Sequence, residues 1–141
     1  MNRVGYFGWM LIAVALSLAS AVAMADVVAV VSAKNSVAAL NKSQLADIFL
    51  GKTNRFPDGT QATPIDQAEG SAVRDEFYDK IVGKTSAQIK AYWSKIIFTG
   101  RGQPPPTVSS ASEMKKRISE NPAAIGYIDS SMVDDSLRVV F

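Results

Sequence analysis

The sequence contains no cysteine and no histidine. Without cysteine no disulfide can staple the fold, so the hydrophobic core must hold it alone, even in an oxidising compartment. Without histidine the chain lacks the commonest general base and the commonest metal ligand. Together these absences exclude a Cys/His zinc site, a Ser-His-Asp triad and a Cys-His nucleophile pair. Asp, Glu, Lys and Tyr remain as acid–base groups, and none of them stands in an obvious catalytic pairing. The expectation is a binding protein, not an enzyme, and no motif points to a cofactor. Charge bias is lacking too: 15 Lys and Arg face 13 Asp and Glu. Nucleic acid is therefore not an expected partner, since it calls for a clustered basic face. There is no internal repeat and no low-complexity tract.

What is present begins with a leader. Arg3 supplies a positive n-region, residues 9–19 are an apolar run, and Ala23-Met24-Ala25 places small residues where a signal peptidase cuts. The apolar run is short of the ~20 residues that span a bilayer. This pattern predicts cleavage after Ala25 and export to the periplasm. Residues 26–141 then form one domain by size. Arg3 leaves with the leader, so the mature net charge is close to neutral.

Along that domain, residues 27–31 are a β-branched run that reads as a strand buried on both faces, as in a parallel sheet. Ser43 is a good N-cap for a helix over 43–50, with Leu45, Ile48 and Phe49 on one face and Gly51 at the stop. Pro57-Asp58-Gly59 is a tight turn. A second strand covers 62–66. A helix follows from Ser71 or Ala72 to Val82, with Val73, Phe77, Ile81 and Tyr78 as its stripe and Gly83 as its end. Ser86 caps a helix over 87–98 whose Ile89, Trp93, Ile96 and Ile97 are expected inside, with Tyr92 and Phe98 beside them in the core. Residues 100–106 are a Gly/Pro loop in which Arg101 is a mobile cation, able to act as a lid or to meet a partner. Ser110 or Ser112 opens a helix to Glu120 with Met114 and Ile118 inward. Strands follow at 125–128 and 137–141. Asp134-Asp135 reads as a solvated turn. The order β-α-β-α-α-α-β-β argues for an α/β layer structure.

Three segments carry a resemblance. Leu45-Ala46-Asp47-Ile48-Phe49-Leu50-Gly51-Lys52-Thr53-Asn54, the stretch from Pro64 to Phe77 with Glu69-Gly70-Ser71, and Asn121-Pro122-Ala123-Ala124-Ile125-Gly126-Tyr127-Ile128 occur in this order. Together they resemble the periplasmic phosphate-binding proteins, the receptors of phosphate ABC importers, over residues 27–130. The resemblance implies a single lobe like a periplasmic-binding-protein type II domain, with a mixed sheet flanked by helices, over residues 26–141. It also implies a small oxyanion ligand, phosphate or sulfate, and a membrane transporter as partner. The family's anion loop becomes Gly70-Ser71-Ala72 here. Asp66 lies near the place where the family has an arginine, and Arg74 follows the loop instead.

The residues themselves point to the same place. A helix N-terminus offers unpaired N–H groups and a positive dipole end. Gly70 lets an anion approach the backbone, Ser71 adds a hydroxyl, Ala72 begins the helix and Arg74 can add a forked cation. Ser71 reads equally as a plain N-cap, and Arg74 as a solvated ion-pair partner. Ser32 and Ser36, after the first strand, are expected to line the same crevice, because ligands of open α/β sheets sit beyond strand carboxyl ends. Two functions remain open: an extracytoplasmic solute-binding protein, or a module that keeps this fold for contact with an envelope protein. A lone lobe leaves a shallow site, and a homodimer would rebuild a cleft.

Overall fold

A computed structural model describes residues 26–141. The expected leader and its cleavage after Ala25 lie outside the described residues. Strand β1 (Val27–Ser32) sits inside a four-stranded sheet with β2 (Thr63–Pro64), β5 (Ala124–Asp129) and β6 (Leu137–Val139), in the order β2-β5-β1-β6. β1 is antiparallel to both neighbours, with Val27 opposite Asp129, Val31 opposite Ile125, and Ser32 opposite Leu137. β2 runs parallel to β5. The parallel arrangement expected around the first strand is therefore corrected. Its burial on both faces has another cause: helices cover the sheet on each side. Ala29, Val31, Ile125 and Tyr127 face a core shared with α1 (Lys42–Phe49), α2 (Ala72–Phe77) and α3 (Ser86–Phe98). Val30, Ala124 and Ile128 alternate to the other face and pack on Met114 and Ile118 of α4 (Ala111–Glu120). An uninterrupted apolar run looks the same whichever way its neighbours point.

Gly126 shows how close α4 lies. A Cβ built there would meet Met114 Sδ at 2.5 Å and Ile118 Cδ1 at 2.6 Å. The glycine inside a strand thus marks a close approach.

The second expected strand is split. Thr63 N–H and Ile65 N–H donate to Ala123 and Ile125 of the sheet, each at 2.8 Å. Pro64, which has no N–H, falls at the edge-facing position between them. The chain then leaves the sheet, and β3 (Asp66–Gln67) pairs in parallel with β4 (Thr107–Val108).

Two caps move. Asn41, not Ser43, caps α1, and Thr85, not Ser86, caps α3; each forms a reciprocal capping box, with Gln44 and Gln88 respectively. A cap whose third helical residue reaches back satisfies two orphan donors at once, which a lone serine does not. Ser71 caps α2 as expected, accepting from Arg74 N–H. The helix continues through a π turn, Tyr78–Val82, and stops at Gly83 with φ 73. Two residues of α3 expected inside lie outside: Ile97 is 54% exposed and Phe98 92%. The inward stripe of α3 is Ile89, Trp93 and Ile96, which leaves the last turn projecting past the core.

Candidate functional site

Where β3 leaves the sheet it carries Asp66 inward, to 3% exposure. A buried carboxylate must have its acceptor positions filled. Tyr78 O–H donates to Oδ2 at 2.6 Å, Tyr127 O–H donates to Oδ1, and Gln67 N–H donates to Oδ1 at 2.8 Å. Arg74 Nε lies 3.6 Å from Oδ1 as an ion pair. These four partners come from three directions: the helix that starts at Ala72, strand β5 and the β3 backbone. Burial, and after it the Asp66 charge, push the Tyr78 and Tyr127 hydroxyls far above the ordinary tyrosine pKa. Both phenols stay protonated and keep donating. Phe77 stacks on Tyr127 at 4.0 Å between ring centroids, and Phe49 meets Phe77 edge-on at 4.8 Å, so the tyrosine ring cannot swing away.

Arg74 is the connection between this cluster and the surface. Its side chain is 11% exposed. Nη1 donates to Ser86 Oγ at 3.3 Å, and the guanidinium carbon stands 5.0 Å from the centre of the Tyr78 ring. Ser86 is free to accept because Thr85 has taken over the cap. Nε is buried and has no hydrogen-bond acceptor. Arg74, Asp66, Gln67, Glu69, Lys90 and Trp93 line a hollow of about 250 Å³ whose far wall is Pro104 and Pro105. Glu69 and Lys90 stand 3.8 Å apart, both well exposed. Two acids therefore face two bases around this hollow.

The turn before α2 is mostly engaged with itself. Ser71 N–H donates to Ala68 O at 3.1 Å, and Ser71 Oγ donates to Gln67 Oε1 at 2.9 Å while accepting from Arg74 N–H at 3.3 Å. Gln67 in turn donates from Nε2 to Tyr127 O at 3.0 Å. Among the described residues, the amides of Gly70 and Ala72 donate to no protein acceptor. Gly70 takes φ 92, and open space surrounds the place where a Cβ would sit.

Ser32 and Ser36 are not brought to this cluster. Ser32 is buried, with Oγ donating to Ser119 O at 3.4 Å and accepting from Lys34 N–H at 3.2 Å. Ser36 borders a separate hollow of about 280 Å³ with Lys34, Thr60, Gln61 and Pro122. The reason is strand direction. β1 is antiparallel to β5, so its carboxyl end lies opposite the carboxyl end of β2 and β5, where Asp66 and Gln67 emerge. Asn35 fastens the Ser32 end, donating to Pro122 O and accepting from Val37 N–H, both at 2.7 Å.

Sequence reasoning missed Tyr78, Tyr127, Ser86 and Lys90 as members of the Asp66–Arg74 cluster. One signal was present: a tyrosine within the apolar Ile125-Gly126-Tyr127-Ile128 strand needs a partner for its hydroxyl.

No family model matches the sequence, and no curated protein sequence matches it. Solved structures do share the fold. A Clostridium perfringens protein, crystallised with bound phosphate and assigned as a phosphate ABC transporter substrate-binding protein, is 24% identical with a TM-score of 0.63, over 81% of this chain and 43% of that one. An ABC-type phosphate transport receptor from Vibrio cholerae is 20% identical with a TM-score of 0.63, over 81% and 44%. PstS from Borrelia burgdorferi is 16% identical with a TM-score of 0.61, over 81% and 46%. The chain therefore spans less than half the length of these proteins. Its fold is of the phosphate-receptor type: an α/β domain with a mixed sheet flanked by helices.

Proposed function

We propose that residues 26–141 are an extracytoplasmic solute-binding module of the phosphate-receptor type, which takes a small oxyanion, phosphate or sulfate, at Arg74 and works beside a membrane transporter. The leader pattern supports the periplasmic location. One observation carries the binding reading: Arg74, 11% exposed on the wall of a hollow, spends a single side-chain hydrogen bond inside the protein, from Nη1 to Ser86 Oγ. A guanidinium has five N–H donors in a fork that matches tetrahedral and planar oxyanions. Here one of them bonds Ser86, and Asp66 balances the charge without a hydrogen bond to Nε. Lys90 on the rim adds a second cation, and the free amides of Gly70 and Ala72 stand at the adjacent helix start.

Calorimetry and thermal melting with phosphate and with sulfate test this reading. Saturable heat and a concentration-dependent rise in melting temperature are expected, because a ligand that binds only the folded state stabilises it by mass action. Arg74→Gln should abolish both. Ser71→Asp keeps a good N-cap but places a negative charge at the helix start, and should repel the anion without unfolding the protein. No heat at millimolar phosphate or sulfate ends the oxyanion reading. Light scattering on the same samples asks whether two copies close over the open hollow.

The balance of charge favours a second reading. Asp66 and Glu69 offset Arg74 and Lys90 at the hollow. A domain of this fold with a neutral site would serve contact with an envelope protein and bind no small ligand. A melting temperature indifferent to both anions, in a strictly monomeric protein, is the result that selects it.

A further inference from the structure

The end of α3 separates two hollows: the one at Arg74, which Trp93 and Ile97 also line, and a second that the oxyanion reading does not use. Phe98 is 92% exposed and Ile97 54%, which is unusual for adjacent large apolar residues on a small domain. Another face of the helix borders a hollow of about 610 Å³, walled by Leu50, Tyr92, Trp93 and Ile96 and rimmed by Lys95 and Arg101, with Ile97 and Phe98 outside its lining. Tyr92 is fixed there by its hydroxyl, which donates to Leu50 O at 2.6 Å. The Trp93 indole N–H is buried with no acceptor. The two charged residues that line this hollow, Lys95 and Arg101, are both basic. Between Asp79 and Glu113 the chain carries five basic residues and no acidic one. Among the described residues neither Lys95 nor Arg101 forms an ion pair.

We propose that the end of α3 and the loop at residues 100–103 form a docking surface for an acidic protein segment that carries an apolar anchor. The anchor enters the hollow against Trp93 and Ile96, the segment's carboxylates meet Lys95 and Arg101, and its chain runs on past Lys95 to cover Phe98 outside the hollow. This division of labour is that of known interfaces, in which an apolar centre supplies affinity and a charged rim selects the partner. A second copy of this chain is disfavoured, because it would set Lys95 and Arg101 against their own kind. A lipid surface is disfavoured by shape, since a flat headgroup layer leaves a concave hollow full of water. The inference does not depend on the oxyanion reading.

The probe is a short fluorescein-labelled peptide of alternating glutamate and serine with one central leucine, followed by anisotropy with the purified protein. Saturable, salt-sensitive binding is expected, with a change in the fluorescence of Trp93. Phe98→Ser and the leucine-to-serine peptide should each weaken binding roughly tenfold, as loss of a packed anchor does. Lys95→Glu with Arg101→Glu should weaken it by roughly tenfold or more. All three substituted positions are on the surface, so the variants fold. Arg74→Gln should leave peptide binding unchanged, which separates this surface from the anion hollow. Absence of saturable binding, or equal binding of a lysine-for-glutamate peptide, overturns the proposal. So does Phe98-dependent binding to phosphatidylglycerol vesicles without peptide binding, or a Phe98-dependent dimer in sedimentation.

Discussion

Asp66→Asn separates what the carboxylate does for the fold from what it does to the site. The substitution keeps one carbonyl acceptor for Tyr78 or Tyr127 but removes the charge that faces Arg74 at 3.6 Å. Arg74 is left 11% exposed with its cation unmatched. Breaking a buried pair from one side costs about 3–5 kcal/mol. The lower end applies here, because Nε makes no hydrogen bond to Asp66 and part of the guanidinium reaches the hollow. A loss of about 3 kcal/mol is a large share of the roughly 5–15 kcal/mol that holds a domain of this size. In urea it moves the midpoint down by about 1–3 M for ordinary slopes of 1–3 kcal/mol per M. Asp66→Asn with Arg74→Met removes both charges, and should recover most of that loss, since a buried pair replaced by apolar groups is often neutral.

The same variant should bind phosphate more tightly while it folds less well. Removing one negative charge close to the bound anion changes the local balance from neutral to positive. At an effective dielectric of about 20 the change is worth a few kcal/mol before screening, so a gain of roughly tenfold is expected. Urea denaturation and calorimetry on the same preparation give both numbers. If Asp66→Asn costs less than about 0.5 kcal/mol, a value typical of plain surface changes, Asp66 is not the anchor described above. If stability falls as expected and phosphate affinity falls with it, Arg74 is not the anion's partner.

Three further outcomes follow from other contacts. Gly126→Ala should destabilise by about 1–3 kcal/mol through overpacking against Met114 and Ile118, both fully buried, and a chemical melt reads it directly. Gly51→Ala combines φ 71 with a Cβ 3.1 Å from the Trp93 ring, so it should cost about 1–2 kcal/mol and alter Trp93 fluorescence in the folded state. Raised pKa values at Tyr78 and Tyr127 mean that the folded chain holds protons that the unfolded chain releases near pH 10. Their contribution is complete below about pH 10 and is lost as pH rises beyond it, by up to about 1.4 kcal/mol per pH unit for each phenol. Tyr78→Phe should roughly halve the tyrosine part of that alkaline slope, as urea melts between pH 9 and about 11 would show.

Much of the fold was legible because its signals are local. Gly51 and Gly83 end their helices at positive φ, Ser71 caps α2, and the stripe of Ile89 and Trp93 turns inward. What could not be read was set across long separations. The direction of β1 depends on partners about 100 residues away, and a strand covered on both faces carries no polar alternation to reveal it. The cap shifts at Asn41 and Thr85 were visible in principle, because glutamine stands three residues after each. Asp66 was the hardest residue to place. Next to the Gly70–Ser71 turn in sequence it reads as a charge that repels anions. Only the pairing of Gln67 with Tyr127, 60 residues on, shows that it points into the core.

That placement changes how the charges near the turn are counted. An aspartate beside a candidate anion loop argues against the loop only if its charge is free. Here Tyr78, Tyr127 and the Gln67 amide occupy its oxygens, and Arg74 leans on it from the hollow's side. The carboxylate therefore holds the arginine in place and weakens its pull on an anion through one and the same contact. A site built this way gains positional order and gives up affinity. Lys90→Glu tests the consequence without touching the core. Glu69 offsets Lys90 only as an exposed rim pair, so reversing the lysine sets two negative charges at the mouth of the hollow and should weaken phosphate binding by about tenfold while leaving the urea midpoint nearly unchanged. Equal phosphate affinity in Lys90→Glu and the parent would show that the anion, if bound, sits away from this hollow.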